Sequence, residues 1–181
     1  MEFKEAIGIY GETEYAGLLV DFVKLLKTGT YVELGVRRGY TFNKVSPFVK
    51  RAVAVDMREV PGVVKLPHVE VYTMTTSKFS RVWKDPIDLL FIDACHNKES
   101  VLEDFRLFVP FVREDLGVIA LHDTYPMYKE LLIPTYCSNA WEAIQEIKDF
   151  TKNRRFEIFT VPGPFAGITF VRKVTKSLIW M

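Results

Sequence analysis

The fold is decided by the stretch Tyr31-Val32-Glu33-Leu34-Gly35-Val36-Arg37-Arg38-Gly39-Tyr40-Thr41. It contains a short apolar run that ends in an acid, then two glycines, then the start of a predicted helix. A buried parallel strand reads as a continuous apolar run, and Thr30–Leu34 fits this pattern with Glu33 at its exposed carboxyl end. Gly35 can adopt a turn conformation that other residues avoid, and Gly39 lets the following helix pack closely. The stretch therefore predicts a strand–turn–helix corner of the kind that binds nucleotide-like ligands in α/β sheets.

The spacing of the glycines favours one kind of ligand over another. The pattern is acid-x-Gly-x-x-x-Gly, whereas the dinucleotide fingerprint Gly-x-Gly-x-x-Gly uses its glycines to approach a pyrophosphate. The acid, Glu33, stands where it could attract a positively charged ligand. S-adenosylmethionine carries a positive sulfonium and a positive ammonium group, so the corner favours this cofactor over NAD.

Composition narrows the class of protein. The 181 residues suit a single domain, 1–181, and 49% hydrophobic with 26% charged residues indicates a globular chain. The formal net charge is +1 and no basic run stands out, so no nucleic-acid partner is expected. Cys95 and Cys137 are too few for a disulfide framework or a zinc ligand set. Early charged residues exclude a signal peptide and no apolar stretch could span a membrane, so we expect a cytoplasmic protein without a membrane partner.

Helix and strand patterns alternate along the chain. Apolar residues repeat with helical spacing in an N-terminal helical segment, 1–29, which Gly29 closes. Predicted strands follow at Thr30–Leu34, 52–55, 69–72, 87–92, 117–121, Phe156–Val161 and 168–171. Predicted helices lie between them at 40–49, at 76–83, from Val101 to Val112, and after Ser138, which could cap the last one. The connection Pro162-Gly163-Pro164 is too short for a helical crossover, so the last two strands should pair antiparallel.

These elements predict a three-layer αβα sandwich with a core at 30–173. The connection after Asp56 is short and interrupted by Pro61-Gly62, so the second crossover helix is expected to be short or missing. Residues 124–138 form a long aromatic connection, and loops of that length in compact domains are often lids. The aromatic residues in it could stack on a substrate or simply pack the loop onto the core.

Ionisable residues stand at the carboxyl ends of several predicted strands. Asp56 ends the second strand 17 residues after Gly39, close to the roughly 20-residue distance typical of an acid that binds the cofactor ribose. Asp93 ends the fourth strand, His96 follows it, and His122-Asp123 end the fifth. In a parallel sheet these ends share one edge, where ligands bind.

Two interpretations of this second group remain open. In the functional one, His96 takes a proton from a substrate hydroxyl, and Asp93 with Asp123 holds a divalent cation. The nitrogen of His122 suits manganese, iron or zinc better than magnesium. In the structural one, His96 precedes a helix and His122-Asp123 make turn hydrogen bonds. Cys95 is interpreted as structural, because nothing in the sequence indicates a lowered thiol pKa.

Together these motifs resemble the class I S-adenosylmethionine-dependent methyltransferases, and most closely a small O-methyltransferase family with macrocin-type and cephalosporin-hydroxylase-like members. The most specific parts of the resemblance are Glu33-Leu34-Gly35 through Thr41, Asp88-Leu89-Leu90-Phe91-Ile92-Asp93 through His96, and Gly117-Val118-Ile119-Ala120-Leu121-His122-Asp123-Thr124. The resemblance implies a Rossmann-like seven-stranded sheet with the order 3-2-1-4-5-7-6 and an antiparallel seventh strand.

The resemblance also implies roles for individual residues. Glu33, Gly35 and Gly39 would contact the methionine end of the cofactor. Asp56 would bind the ribose, and Thr75 or Thr76 the edge of the adenine. The whole implied cofactor set is Glu33, Gly35, Val36, Gly39, Tyr40, Thr41, Asp56, Met57, Thr75, Thr76 and Asp93. The implied catalytic residues are His96, as general base, and Asp93, and the implied ligands of a Mg²⁺ or Mn²⁺ ion are Asp93, His122 and Asp123.

The chain departs from the family pattern at two places. The family often has a Glu-Asp pair where this chain has His122-Asp123, which puts the metal in question. An acid near the adenine usually follows the third strand, whereas here Met74-Thr75-Thr76 follows it.

The expected function is methyl transfer from S-adenosylmethionine to a hydroxyl of a small molecule or sugar, with a homo-oligomer left open. The alternatives are a non-catalytic protein that binds S-adenosylmethionine or S-adenosylhomocysteine, and an NAD(P)-dependent oxidoreductase. A nucleic-acid methyltransferase is disfavoured, because Ile92-Asp93-Ala94-Cys95 stands in place of an Asn/Asp-Pro-Pro-aromatic motif.

Overall fold

The computed structural model describes residues 14–114, 116–152, 154–163 and 166–174. Its strands are β1 (Thr30–Leu34), β2 (Arg51–Asp56), β3 (Val69–Thr73), β4 (Leu89–Ile92), β5 (Val118–His122), β6 (Phe156–Val161) and β7 (Ile168–Lys173). They form one sheet with the order β3-β2-β1-β4-β5-β7-β6. The first five strands run parallel, and β7 runs antiparallel to both β5 and β6. The predicted fold class and strand order are therefore confirmed.

Helices cover both faces of the sheet. They are α1 (Glu14–Leu26), α2 (Tyr40–Val45), α3 (Thr76–Val82), α4 (Lys98–Phe108) and α5 (Ala143–Thr151). Side chains of α1 and α2, such as Leu19 and Phe42, pack in the core on one face. Side chains of the other three helices, such as Phe79, Phe105 and Ile147, pack in the core on the opposite face. The strands β1, β2, β4 and β5 read as continuous apolar runs because both of their faces are buried.

The connection between β2 and β3 contains no helix. Residues 57–68 run as turns and irregular chain, and Val63 reaches into the core from this segment. Asn43 of α2 holds the segment in place: its side-chain amide donates to the Gly62 carbonyl at 2.7 Å and accepts from the Val64 amide at 2.9 Å. The prediction of a short or missing second crossover helix is confirmed.

The predicted start of α5 and the predicted end of α2 are wrong. Ser138 does not cap α5: it has a left-handed φ of 46°, and a 3-10 turn at Ala140–Glu142 precedes the helix. The helix predicted over 40–49 ends at Val45, where a 3-10 turn containing Pro47 follows. Proline lacks the amide hydrogen that would continue the helical hydrogen bonds. The ends of all seven strands agree with their predicted positions to within two residues.

The helix α1 is the described part of the predicted N-terminal segment. Residues 1–13 lie outside the described ranges, as does Pro164 of the predicted last turn. The prediction that Gly29 closes α1 is wrong, because Lys27 adopts the left-handed conformation at the helix end, with φ of 50°. None of the helices in the described ranges combines the length and the apolar character needed to cross a membrane.

Asp88 joins three segments at the amino-terminal end of the sheet. Its Oδ2 accepts hydrogen bonds from the amides of Gly29 and Thr30 at 2.9 and 2.8 Å, and its Oδ1 lies 2.7 Å from Arg113 Nε. A Cβ atom on residue 29 would lie 2.8 Å from Asp88 Oδ2, so glycine leaves room for this contact. The Asp88 side chain is only 14% exposed, and it therefore fixes where β1 begins relative to β4.

We expect Asp88→Ala to lower the free energy of unfolding by about 2–4 kcal/mol, because two partly buried amides lose their acceptor. Urea unfolding followed by circular dichroism measures the change. Asp85→Ala is the matched control: its carboxylate is 57% exposed and pairs with Arg51, so its loss should cost less than about 1 kcal/mol. Equal losses in the two variants would contradict the role given to Asp88.

Candidate active site

A cavity of about 1020 Å³ opens at the carboxyl edge of β1, β2, β4 and β5. Ligand pockets commonly span about 300–1,000 Å³, so the space can hold a cofactor together with a second small molecule. Gly39 does not line the cavity; it precedes α2 with a left-handed φ of 80°. The residues predicted from the sequence that do line it are Glu33, Gly35, Val36, Tyr40, Thr41, Asp56, Met57, Thr75, Thr76, Asp93, His96, His122 and Asp123.

Gly35 forms the tight turn at the floor of the cavity. Its φ is 88°, a value that strongly favours glycine, and its amide donates to the Val55 carbonyl at 2.8 Å. A Cβ atom here would lie 2.3 Å from the carbonyl oxygen of Asp93 and from the Cα of Ala94. Glycine is therefore required so that the ends of β1 and β4 can meet.

Glu33 is buried, with 2% of its surface exposed, so the prediction of an exposed carboxyl end for this side chain is wrong. The strand end is covered by the walls of the cavity, and Glu33 faces into it. The Tyr31 hydroxyl donates a hydrogen bond to its carboxylate. Burial raises the pKa of Glu33 well above its usual range, although that hydrogen bond opposes the rise. An acid in such a place favours a ligand that brings its own positive charge.

Asp56 lies at the end of β2, on the rim of the cavity. Its Oδ2 accepts a hydrogen bond from the Arg37 amide at 2.8 Å, and its Oδ1 accepts one from the Arg58 amide at 2.9 Å. The carboxylate is thus held in a fixed orientation between two loops. Each carboxylate oxygen can accept a further hydrogen bond, so a ligand diol can bind as well.

His122 lies between the two carboxylates at the ends of β4 and β5. Its Nδ1 is 3.0 Å from Asp93 Oδ1 and 3.2 Å from Asp123 Oδ1, and its ring packs on Tyr15 with 3.9 Å between centroids. Burial by itself disfavours the charged ring, but Asp123 and Asp93 outweigh it and raise the pKa of His122 to about 10. At neutral pH the imidazolium offsets part of the negative charge of the two carboxylates.

Asp123 adopts a left-handed conformation, with φ of 60°, directly after β5. Its side chain is 6% exposed, and Cys137 Sγ donates to its Oδ1 at 3.3 Å. Burial by itself would raise its pKa, but His122 outweighs burial and lowers the pKa of Asp123 to about 2. Asp123 is therefore an ionised acid whose carboxylate contacts both His122 and Cys137.

His96 stands beside this pair. Its Nδ1 contacts the Tyr136 carbonyl and lies 3.4 Å from Asp123 Oδ2. A carbonyl only accepts hydrogen bonds, so the proton belongs on Nδ1 and the lone pair on Nε2. Nε2 is 3.9 Å from Asp93 Oδ1. The ring is thus held in the tautomer that a general base requires.

Asp93, His122 and Asp123 also have the chemistry of a metal site. Each offers one ligand atom, and the three atoms lie within 4.8 Å of one another. Within the described residues, His122 Nε2 and Asp123 Oδ2 are buried without a hydrogen-bond partner. Two carboxylates and one imidazole fit manganese, iron or zinc better than magnesium. The donor set therefore fits a divalent cation.

The predicted lid, 124–138, contributes unequally to the cavity. Tyr136 lines it together with Pro134 and Thr135. Tyr128 and Tyr136 both pack against a small buried cluster around Leu131, and Tyr128 does not line the cavity. These two tyrosines therefore pack the loop, and Tyr136 also lines the cavity.

Sequence reasoning missed three residues that shape the cavity. Tyr15 comes from α1, Cys137 contacts Asp123 from the loop, and Asp104 lines the cavity from α4. Only Asp104 leaves a signal in the sequence. It interrupts the apolar face of α4 between Val101 and Phe105, where a lone acid is unusual.

Comparison with known proteins agrees with this geometry. A protein-family model described as a methyltransferase domain matches residues 32–124. No curated protein matches the chain in sequence.

Several solved structures share the fold at low sequence identity. An O-methyltransferase from Bacillus cereus in complex with S-adenosylhomocysteine is 15% identical with a TM-score of 0.67, over 94% of this chain and 90% of that one. The O-methyltransferase TomG from Streptomyces achromogenes, in complex with S-adenosylmethionine, is 14% identical with a TM-score of 0.68, over 90% and 81%. An rRNA methylase from Streptococcus thermophilus is 13% identical with a TM-score of 0.67, over 87% and 95%. Because these identities are low, the likeness shows a shared fold and not a shared acceptor.

The strand order, the glycine turn after β1 and the acid after β2 define the class I S-adenosylmethionine-dependent methyltransferases. The family model covers just over half of the chain, and the chain belongs to this methyltransferase domain family. The predicted resemblance to the class is confirmed.

Proposed function

We propose that this methyltransferase transfers a methyl group from S-adenosylmethionine to a hydroxyl group of a small-molecule or sugar acceptor. The observation that carries the proposal is the convergence of Glu33, Asp56 and His96 on one cavity. Two acids of this set suit a cationic nucleoside, and the imidazole suits an acceptor that must lose a proton. The O-methyltransferases among the structural neighbours are consistent with this chemistry.

The cofactor would lie across the carboxyl ends of β4, β1 and β2. A cationic ligand would lower the pKa of Glu33 by offsetting its burial. The ionised Glu33 would then offer negative charge to the ammonium and sulfonium groups, and Asp56 would accept hydrogen bonds from the ribose hydroxyls. The adenine would then lie toward Thr76, because the Met74 amide donates to the Asp56 carbonyl at 2.8 Å and so keeps the end of β3 beside β2. The order of these sites follows the order of the strands.

Methyl transfer to a hydroxyl needs alignment, exclusion of water and removal of one proton. The sulfonium is already activated, so the cavity has to hold the acceptor oxygen in line with the methyl group. His96 Nε2 accepts the hydroxyl proton as the new oxygen–carbon bond forms and the sulfur–carbon bond breaks. The Tyr136 carbonyl keeps the other ring nitrogen protonated, which fixes the orientation of the base.

A divalent cation would be held by Asp93, His122 and Asp123. When bound, it would stabilise negative charge on the acceptor oxygen as a Lewis acid. Without it, the His122 imidazolium is the positive charge nearest to these carboxylates.

The acceptor part of the cavity is mostly apolar. Leu18, Val161 and Ile168 line it, together with Tyr136. This lining suits a small molecule with an apolar or ring-shaped face. The net charge of +1 gives no indication of a polyanionic acceptor.

A non-catalytic binding protein is the second candidate, because an intact cofactor pocket would serve it equally well. Incubation with labelled S-adenosylmethionine and a panel of small alcohols, phenols and sugars separates the two candidates. A methylated product together with S-adenosylhomocysteine supports the enzyme. Tight cofactor binding without turnover on any acceptor supports the binding protein.

The ribose assignment is tested with Asp56→Ala. We expect its affinity for S-adenosylhomocysteine to fall by about tenfold to a hundredfold, because a hydroxyl pair loses its charged acceptor. Isothermal calorimetry measures the change. Asp21→Ala, which removes an exposed carboxylate on α1, is the control and should bind like the wild type. If Asp56→Ala bound S-adenosylhomocysteine with wild-type affinity, Asp56 would not be the residue that binds the ribose.

The base is tested with His96→Ala. Turnover is expected to fall by about a hundredfold to ten-thousandfold, while the affinity for S-adenosylhomocysteine stays within about twofold. His68→Ala is the matched control, since His68 contacts the Ser46 carbonyl at 2.9 Å and lies outside the cavity lining. If His96→Ala lost cofactor affinity by as large a factor as it lost turnover, the imidazole would bind the cofactor and would not act as the base.

The metal is tested by chelation. Excess chelator is expected to lower turnover by more than about tenfold, and Mn²⁺ to restore it better than Mg²⁺, because one ligand is a nitrogen. The control is S-adenosylhomocysteine affinity, which should hardly change. Full activity in excess chelator would exclude the metal from the mechanism and leave the role of His96 intact.

A further inference from the structure

A carboxylate inside an apolar helix face is the feature of this cavity that the proposed mechanism does not use. Asp104 lies in the middle of α4, and only 3% of its surface is exposed. Its neighbours on that face, Val101 and Phe105, belong to the hydrophobic core. Burying an acid costs free energy unless it meets a partner, so the placement calls for a physical reason.

The protein itself supplies Asp104 with a neutral neighbour. The side chain of Thr76, at the start of α3, lies close enough to the Asp104 carboxylate to lower its pKa. Burial raises the pKa of Asp104 to about 6, and Thr76 only partly opposes this rise. The acid is therefore mostly ionised at neutral pH, with capacity to accept a hydrogen bond.

Asp104 faces the same cavity as the cofactor residues. Both it and Thr76 line the cavity, and Thr76 follows β3, the strand next to β2. A nucleoside whose ribose binds Asp56 would direct its base toward this end. Thr75 is less suited to bind the base, since its hydroxyl accepts from the Lys78 amide at 3.3 Å as the cap of α3.

We propose that Asp104 recognises the exocyclic amino group of the cofactor's adenine and so selects an adenine base. The inference rests on the proposed binding of S-adenosylmethionine in this cavity. The amino group is a hydrogen-bond donor, and a buried carboxylate is a matching acceptor. A base with a carbonyl oxygen at the same position would place two acceptors against each other and leave both unpaired. The acid expected after β3 is thus replaced by one from α4.

Glu103 is the natural rival, because it is the neighbouring acid on α4 and also lines the cavity. Its side chain is exposed, whereas that of Asp104 is buried. Water can satisfy an exposed carboxylate, so Glu103 would discriminate weakly between bases. Glu103→Gln is therefore the matched control for Asp104→Asn.

The test compares binding of S-adenosylhomocysteine with binding of S-inosylhomocysteine, in which a carbonyl oxygen replaces the amino group. In calorimetry with the full chain, we expect the wild type to prefer the adenosine compound by more than about tenfold. Asp104→Asn should reduce the preference to within about threefold or reverse it, because an amide can donate to the carbonyl oxygen. Glu103→Gln should keep the wild-type preference. Asp56→Ala should lower the affinity for both compounds by the same factor.

Several results would overturn the proposal. One is a wild-type preference below about threefold, a measurement that decides the matter even if Asp104→Asn does not fold. Another is an unchanged preference in Asp104→Asn, and a third is a loss of preference in Glu103→Gln. If the wild type binds neither compound, the proposed cofactor site itself fails, and that failure is distinguishable from the loss of base recognition alone.

Discussion

The rest of the structure depends on one close approach between two backbones. At Gly35 the turn after β1 passes so near to Asp93 that a Cβ atom would lie 2.3 Å from its carbonyl oxygen. The same glycine hydrogen-bonds the Val55 carbonyl of β2. Three strand ends therefore meet at one point. Because they meet there, the acids Glu33 and Asp56 share a cavity with Asp93, although they are far apart in the sequence.

Much of the fold could be predicted because local and global signals agree. The central strands are buried on both faces, so each appears in the sequence as an uninterrupted apolar run. The acids Asp56 and Asp93 end such runs, and in a parallel sheet those ends share an edge. Periodicity carries no information on which strands are neighbours; the order came from the resemblance to the family.

What could not be predicted depends on how segments pack against each other. Glu33 stands at a strand end, where exposure is the natural expectation, yet the cavity walls bury it. Tyr15 packs on His122 because α1 is docked on the sheet, and no local pattern in the sequence encodes that docking. Ser138 resembles a helix cap, but the loop before α5 turns through a left-handed residue there. In each case tertiary packing overrides the local preference.

At Asp123 a left-handed backbone conformation, which costs stability, occurs together with a carboxylate that contacts two histidines. Such a conformation costs about 1 kcal/mol for residues other than glycine, and aspartate tolerates it better than most. Glycine would relax the backbone but would remove the carboxylate that holds His122 and faces His96. The fold thus keeps a left-handed aspartate where its carboxylate contacts two histidines. Selection for thermal stability alone would drive this position toward glycine and would remove these two contacts.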